Sequence, residues 1–508
     1  MNLALMGGVT LGLRNILSCI MPFTAKENSK EMNCNSLKNE KHKCTEQEGY
    51  RLLIPLIAKG SMNNLHRTDV VDAFRTRGIE VKFLVREDYV SLIKPIDGVR
   101  YLTCRFPDEI GIKGIIRRFL RYLRSLYPIG AVGRRETRPR TQRFRMKAAH
   151  FAVEFIARFK LTMRLVTWLE KYFYRSEVIE DLSVDDFDQL LLLGVGADGA
   201  EHETKLTWWA RQKGISHVHA IGNWDTLTSK GYPGVRVDTL LVWGPVMKGD
   251  AIALHDIPEE RIKLIGAVRY DRLKKTIIEQ RDAFLKRCGL DPDKKTILFA
   301  GPLSGDQYFE MLKVYEYLCE TDGCYQMIFR MYPNKKFMES VYVKPIIHYA
   351  KSLPGVYVSI GDPDYRTGDK EEAVVKIEQY ELWHAFEYSD LVVNYFSTAA
   401  LEACLFNKPV ISMNYRPSED YGWLAPPDYA DHASLPHNQR LKDYGAIHRV
   451  SSREELIEAI RTAVLYPDQY SADRRTAVEQ ELGVLDGHVI ERLVESFCNA
   501  YREYQLAQ

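Results

Sequence analysis

A chain of 508 residues exceeds the roughly 100–200 of one domain, and a composition 45% hydrophobic and 11% aromatic is that of a globular protein with sizeable cores. Seventy Lys and Arg against 68 Asp and Glu leave a net charge of +2, which excludes a globally basic nucleic-acid-binding protein and a halophilic one. Nine cysteines, odd in number and without paired CxxC spacing, exclude a zinc ribbon and a dense disulfide framework and point to a reducing compartment.

The most apolar early run, Leu3 to Phe23, is broken by Arg14, weakened as a helix by Gly7, Gly8 and Gly12, and lacks the basic start of a secretory signal. It also falls short of the roughly 18–20 uninterrupted apolar residues a membrane span needs. Thr24 to Gly49 is rich in Lys, Glu and Asn and has too few large apolar residues to offset its ordering entropy. Residues 1–49 are therefore expected to form a flexible leader to a cytoplasmic protein.

From Tyr50 the pattern becomes strand, helix, strand. Leu52 to Ile57 is a buried-strand run ending at Lys59, Gly60 and Ser61; Val70, Val71 and Phe74 have helical spacing; Val81 to Val85 is a second strand. The grammar recurs from Phe187 to Leu193, through a helix to Lys213, and into His217 to Ile221. A second series follows, with strands at Thr296 to Ala300, Tyr325 to Arg330, Val356 to Ile360, Leu391 to Asn394 and Pro409 to Met413. Such alternation implies parallel sheets covered on both faces, an α/β architecture of two Rossmann-like halves. The expected division is 50–245 for the first half, carrying a helical insertion at 112–175, then 246–467 for the second. Residues 468–508 are expected to be helical and to cross back to the first half.

The insertion concentrates charge. Between Lys113 and Lys147 there are twelve Lys or Arg and one acid, Glu136. Ile112, Ile115, Ile116, Phe119, Leu120, Leu123 and Leu126 follow helical spacing, while Arg117, Arg118, Arg121 and Arg124 fall largely off that stripe. Two uses fit: a basic amphipathic helix lying on an anionic membrane surface through 112–147, or a helix packed on its own domain with a solvated basic face. No aromatic stacking platform is interleaved with the arginines, so nucleic acid is not expected as a partner.

In open α/β sheets ligands bind at the carboxyl ends of strands. The loop after Leu391–Asn394 runs Tyr395, Phe396, Ser397, Thr398 and opens a helix, presenting unpaired backbone N–H groups to an anion such as a diphosphate. Glu402 lies about one turn into that helix, where a carboxylate can accept from two vicinal ribose hydroxyls. A capped helix with a surface Glu fits the same pattern. The earlier strand His217 to Ile221 leads into Gly222, Asn223, Trp224, Asp225, Thr226, Leu227, Thr228, Ser229 and Lys230, where Asp225 is either a general base beside a Trp or a turn and cap residue. His202, in the loop after the preceding strand, is the rival base.

The stretch Ser389 to Met413, SDLVVNYFSTAALEACLFNKPVISM, resembles the nucleotide-binding segment of GT-B glycosyltransferases and their relatives, the UDP-N-acetylglucosamine 2-epimerases and CDP-glycerol glycerophosphotransferases. The resemblance implies that Ser397 and Thr398 meet the donor diphosphate and Glu402 the ribose. Asn394 stands where that family commonly has Asp, and Asn407 where it has Gly. Ile328 to Asn334, IFRMYPN, is similar to the family's R-x-H-P segment, with Tyr332 replacing His, and adds Arg330 to the donor contacts. The loop Ala300 to Gly305 adds Gly301 and Ser304. The Trp224 to Gly231 stretch resembles the WDNLTSKG-like loop of a surface-carbohydrate-biosynthesis branch, which implies Trp224, Thr228, Ser229 and Lys230 as acceptor-loop residues. The implied fold is GT-B, two Rossmann-like domains facing across a cleft. The implied activity is metal-independent transfer of a sugar from a nucleotide-sugar donor, a substrate and not a cofactor, to a glycan or lipid-linked acceptor. The enzyme would work in the cytoplasm or peripherally on the inner membrane face. CDP-alditol phosphate transfer remains an alternative, although an H-G-T-P-x-K-like loop is absent, as do sugar-nucleotide epimerisation and a non-catalytic scaffold.

Overall fold

The computed structural model describes residues 50–57, 64–106, 111–127, 151–174, 179, 182–194, 200–234, 237–271, 273, 277–302, 305–332, 335–339, 341, 343–360, 381–417 and 433–507. The expected leader, the basic stretch 128–150 and Ser304 lie outside them.

Seven parallel strands form the first sheet: β1 Arg51–Leu56, β2 Glu80–Arg86, β3 Arg100–Cys104, β4 Gln189–Leu193, β5 Ser216–Ala220, β6 Thr239–Val242 and β7 Ile262–Leu264, in the order β3-β2-β1-β4-β5-β6-β7. Six form the second: β8 Lys295–Ala300, β9 Tyr325–Arg330, β10 Val356–Ser359, β11 Leu391–Asn394, β12 Val410–Met413 and β13 His448–Val450, in the order β10-β9-β8-β11-β12-β13. Both orders reverse once, between β1 and β4 and between β8 and β11, and such switch points leave a crevice at the strand carboxyl ends. At the first of them β1 pairs with β4 only through Leu52 and Leu53, whereas its ladder to β2 continues to Leu56. Pro55, which has no N–H to give, falls where β1 and β4 part.

The near-continuous apolar runs are explained by burial on two faces. Leu52, Ile54 and Leu56 of β1 pack with Val81, Phe83 and Val85 against the last helix, Val489–Ala507, through Val489, Ile490, Leu493 and Phe497. Leu53, Leu84, Leu190 and Leu192 face the opposite way, against Leu206, Trp209 and Ala210 of helix Ala200–Gln212. The terminal segment thus crosses back to the first half as expected.

The first sheet does not stop at residue 245, the boundary expected from the sequence. Ile262–Leu264 pairs with β6 through Leu240↔Ile262, Leu241↔Lys263 and Val242↔Leu264, so the first half continues through helix Pro245–His255 to residue 264. Its three residues are too short to show a period. β3 and β13, not anticipated either, are edge strands in which polar residues interrupt apolar ones.

Two connections link the halves and run side by side: Ala267 N–H donates to the Leu482 carbonyl at 3.0 Å. Gly483 has φ +73° and ψ −160°, and a Cβ there would lie 2.1 Å from the Trp243 carbonyl oxygen. Only glycine adopts this backbone at so close an approach. Asp271 accepts from the Gly487 and Val489 N–H groups at 2.8 and 2.9 Å, satisfying orphan donors at the start of the last helix.

Candidate active site between the two sheets

In the second sheet, β11 is wholly buried and ends at Asn394. The chain then turns through Phe396, whose φ of +35° is a strained value for a non-glycine residue, the kind of strain that clusters at ligand sites. Ser397 is the N-cap of helix Thr398–Leu405, but its hydroxyl makes no capping hydrogen bond to the helix; it receives one from Asn394 Nδ2 at 3.4 Å. Of the first-turn N–H groups, that of Ala400 donates to the Ser397 carbonyl at 3.0 Å, and those of Thr398 and Ala399 are left at the positive end of the helix dipole. Asn394 Oδ1 is buried and has no hydrogen-bond partner among the described residues. Asn407, at φ +54°, occupies the left-handed position beyond the helix, which explains a Gly or Asn there. Its side chain adds what Gly lacks: Nδ2 donates to Ser471 Oγ, and Oδ1 accepts from Arg474 Nε.

Glu402 is buried, and its Oε1 accepts from Tyr270 OH at 2.8 Å and Arg269 Nη2 at 3.4 Å. Helix Thr398–Leu405 is thereby fastened to the interdomain connection, a role the sequence does not advertise. Glu402→Ala is expected to weaken nucleotide binding by about 1.5–3 kcal/mol if the carboxylate meets the ribose. It should also lower stability by about 1–3 kcal/mol, because it leaves the Tyr270 hydroxyl buried without its acceptor. Calorimetry and urea unfolding of the same variant separate the two effects; lost stability with unchanged affinity would confine Glu402 to the fastening.

The other residues expected to contact a donor have partners within the protein. A Cβ on Gly301 would fall 2.2–2.3 Å from the ring of Tyr308, so this glycine makes room for a tyrosine whose hydroxyl donates to the Pro302 carbonyl and accepts from Tyr332 N–H. Arg330, at the end of β9, is buried and hydrogen-bonded to Ser359, with Glu381 Oε1 at 3.7 Å. Ser304 lies outside the described residues.

In the first sheet β5 runs into Gly222, where a Cβ would meet Leu193 at 2.6 Å. Asp225 then starts the short helix Thr226–Ser229 without capping it through its side chain. Asp225 Oδ2 accepts from Ser229 Oγ at 2.9 Å and lies 3.9 Å from Lys230 Nζ, while Oδ1 is buried and has no hydrogen-bond partner among the described residues. Thr228 Oγ1 bonds the Asp225 carbonyl and His437 Nδ1, at 3.2 and 2.9 Å. The hydroxyls of Thr228 and Ser229 thus shape the loop around Asp225.

The halves meet at Trp224. Its Nε1 donates to Thr398 Oγ1 at 3.3 Å, and its ring packs edge-on against His437 of helix Pro436–Asp443 with centroids 4.7 Å apart. The Asp225 loop and the start of the donor helix, 174 residues apart in sequence at this contact, therefore share one site. The 930 Å³ cavity beside the interdomain connections, lined by Trp243, Gly266, Tyr270 and Phe406, includes none of Asp225, Ser397 and Thr398.

Beyond β4, His202 packs against Phe106 with ring centres 4.4 Å apart and planes tilted by 34°, its Nδ1 buried. The next residue, Glu203, is the group the sequence reading missed. It is buried, no hydrogen bond to its carboxyl is found among the described residues, and a Cβ on Gly194 would lie 2.9 Å from its Oε2. Burial pushes its pKa up to about 8. The Gly194 carbonyl bonds His219 Nδ1 at 2.9 Å, and burial lowers the His219 pKa to about 4, which keeps that ring neutral. Glu203 and Gly194 stand at the first switch point, Ser397 and Gly301 at the second. The signal available in sequence was a carboxylate just after a strand-end glycine, a pattern shared by many surface residues.

The basic helix departs from the expected pattern. In helix Gly111–Ser125 the buried residues are Gly114, Arg117, Leu120, Leu123 and Arg124, whereas Ile112 is 77% exposed. Arg124 Nε donates to Glu170 Oε1 at 2.9 Å and Nη1 to the Tyr232 carbonyl, also at 2.9 Å. Arg117 lies 4.1 Å from the ring centre of Tyr174 and donates to the Phe173 carbonyl. These two arginines are core anchors and not a cationic surface.

Two doubly wound parallel sheets with their switch-point loops meeting across a cleft constitute a GT-B glycosyltransferase-type fold. No protein-family profile and no curated protein sequence matches the chain. A putative UDP-N-acetylglucosamine 2-epimerase from Listeria monocytogenes is similar with a TM-score of 0.50 and 12% identity, over 89% of this chain and 97% of that one. A glycosyltransferase from Rickettsia africae is similar at 0.45 and 11%, over 90% and 98%. The wall teichoic acid polymerase TagF is similar at 0.43 and 10%, over 91% of each chain. At 12% identity the first of these bears on the fold alone.

Proposed function

We propose that this chain transfers a sugar from a nucleotide-sugar donor to a glycan or lipid-linked acceptor, in the manner of the surface-carbohydrate-biosynthesis branch whose loop it resembles. The observation that carries this reading is the Trp224–Thr398 contact, which sets a carboxylate with one unpartnered oxygen against an uncapped helix N-terminus. Such an N-terminus offsets charge developing on a departing diphosphate, so the reading needs no metal. The Asp225 carboxylate takes the proton of the acceptor hydroxyl as the hydroxyl oxygen bonds to the anomeric carbon; the bond from that carbon to phosphate oxygen breaks, and the nucleoside diphosphate leaves. Glu203, neutral at pH 7, is placed to donate a hydrogen bond or a proton near the first switch point. His202, packed on Phe106, is the weaker base candidate. The site works on the cytoplasmic side, peripherally to the membrane that carries a lipid-linked acceptor.

Asp225→Asn is expected to leave donor affinity nearly intact while turnover falls about 100-fold or more, the span for loss of a general base. Donor consumption is measured with and without acceptor across UDP-, GDP-, CMP- and CDP-linked donors. Conversion of donor without acceptor, unaffected by Asp225→Asn, would favour epimerisation. Donor binding without consumption under any condition would favour a scaffold.

A further inference from the structure

Helix Lys160–Phe173 has two apolar faces. Met163 and Val166 pack inward with Leu120, Leu123, Leu126 and Ala157. On the other side Leu161, Leu165, Trp168 and Tyr172 recur at i, i+4, i+7 and i+11, and each is at least half exposed. The preceding residues extend the patch: Phe151, Phe155, Ile156 and Phe159 are likewise half or more exposed. Eight large apolar side chains on one stretch of surface exceed what a monomeric domain leaves in water without a use.

Charge selects the occupant. Between 151 and 173 the acids are Glu154 and Glu170, and both are buried, so the outward surface of this stretch carries no carboxylate of its own. Arg158, Lys160, Arg164 and Lys171 border the apolar side chains; Lys160 and Arg164 also pair with Asp256, at 3.2 and 2.9 Å. The sequence entering this stretch, 134–147, adds seven Lys or Arg against one acid. Trp168 and Tyr172, in edge-to-face contact at 5.0 Å, are the residue types that settle at a headgroup boundary. A 670 Å³ cavity bounded by Trp168, Lys171, Trp208, Arg211 and Asp256 opens beside them.

We propose that the outward face of residues 151–173 docks on an anionic lipid bilayer, lying in the interface with its apolar side chains at the headgroup–acyl boundary. This moves membrane contact from the arginines of 112–125, which are partly core, to the aromatic stripe that follows them. The helix is too short to span a bilayer, and no described helix is long and apolar enough to cross a membrane. The inference deepens the proposed function by locating where a lipid-linked acceptor would be met, and its test uses neither donor nor acceptor, so the two fail separately.

Full-length protein is sedimented with phosphatidylcholine vesicles with and without phosphatidylglycerol. Pelleting is expected with the anionic vesicles, weakened at high salt. Leu165→Glu with Trp168→Glu should reduce partitioning at least about tenfold with an unchanged melting temperature, since both positions face solvent. Should that variant misfold, emission spectroscopy decides: anionic vesicles should shift wild-type tryptophan emission to the blue, and Trp168→Phe should remove most of the shift while still pelleting. No pelleting by the wild type, equal pelleting by the double variant, or a dimer in light scattering that the double variant abolishes without any vesicle binding would each overturn the proposal, the last by assigning the face to a second copy.

Discussion

Arg124→Gln is expected to cost about 3–5 kcal/mol of folding stability, the range for removing one member of a buried ion pair. Arg124 and Glu170 are both fully buried, 46 residues apart, and joined at 2.9 Å. The variant leaves Glu170 in a low-dielectric site that already raises its pKa through desolvation, opposed mainly by Arg124. It also removes the donor to the Tyr232 carbonyl, and the space against Gly234, where a Cβ would sit 2.7 Å from the guanidinium, opens. Tyr232 follows directly on the Asp225 loop, so turnover should fall with stability. Urea unfolding checks the magnitude, with Arg118→Gln, on the half-exposed side of the same helix, expected within about 0.5 kcal/mol of wild type. Replacing Arg124 and Glu170 together by Met should recover much of the loss, because the desolvation cost of both charges disappears with them. A single variant as stable as wild type would mean that Glu170 reaches water.

The second large effect is at Glu203, where Glu203→Gln should change stability and turnover in opposite directions. The folded pKa of about 8 lies above the ordinary carboxylate value of 4.5, so the native state holds a proton that the unfolded chain has released between those values. Stability therefore falls as pH rises through that window, and is greatest, as far as this group is concerned, below it. A permanently neutral Gln removes the fall: the variant should match wild type near pH 5 and exceed it at pH 8.5 by on the order of a few kcal/mol. Turnover at pH 7 should drop about 100-fold or more if the Glu203 proton is used in the reaction. Thermal unfolding across pH 5–9, paired with turnover at each pH, checks both. Identical pH slopes for variant and wild type would show that Glu203 is solvated, and full turnover would leave it a buried acid without a catalytic part.

Between these sites the division between local and long-range information is plain. The runs Tyr325 to Arg330 and Leu391 to Asn394 are strands with the expected bounds, because a strand buried on both faces demands consecutive apolar residues and so writes itself into a short window. The Ser397–Thr398 turn was legible for a similar reason: a strand-to-helix turn needs small hydroxyl residues at the helix start. Edge strands escape this logic. β7, three residues long, declares its sheet only by pairing with β6, and the domain boundary drawn at 245 moved with it.

Periodicity fixes that a helix is amphipathic but not which face turns inward when a long cation can reach a buried carboxylate. In Gly111–Ser125 the arginine side was expected to meet an anionic membrane surface or water, yet Arg124 finds Glu170, on another helix, and is drawn into the core while Ile112 stays outside. Glu402 in its helix, Gly301 after β8 and Arg330 at the end of β9 likewise stand where their motifs put them along the chain, but their partners Tyr270, Tyr308 and Ser359 come from elsewhere in the chain. Residue types and spacing along the chain were enough for two α/β halves and for the loops at the ends of their strands, since backbone sterics and burial act over a few residues. Which carboxylate is buried, which arginine is structural and which apolar face stays outside was settled by packing between segments far apart in the chain, because desolvation and ion pairing depend on neighbours in space.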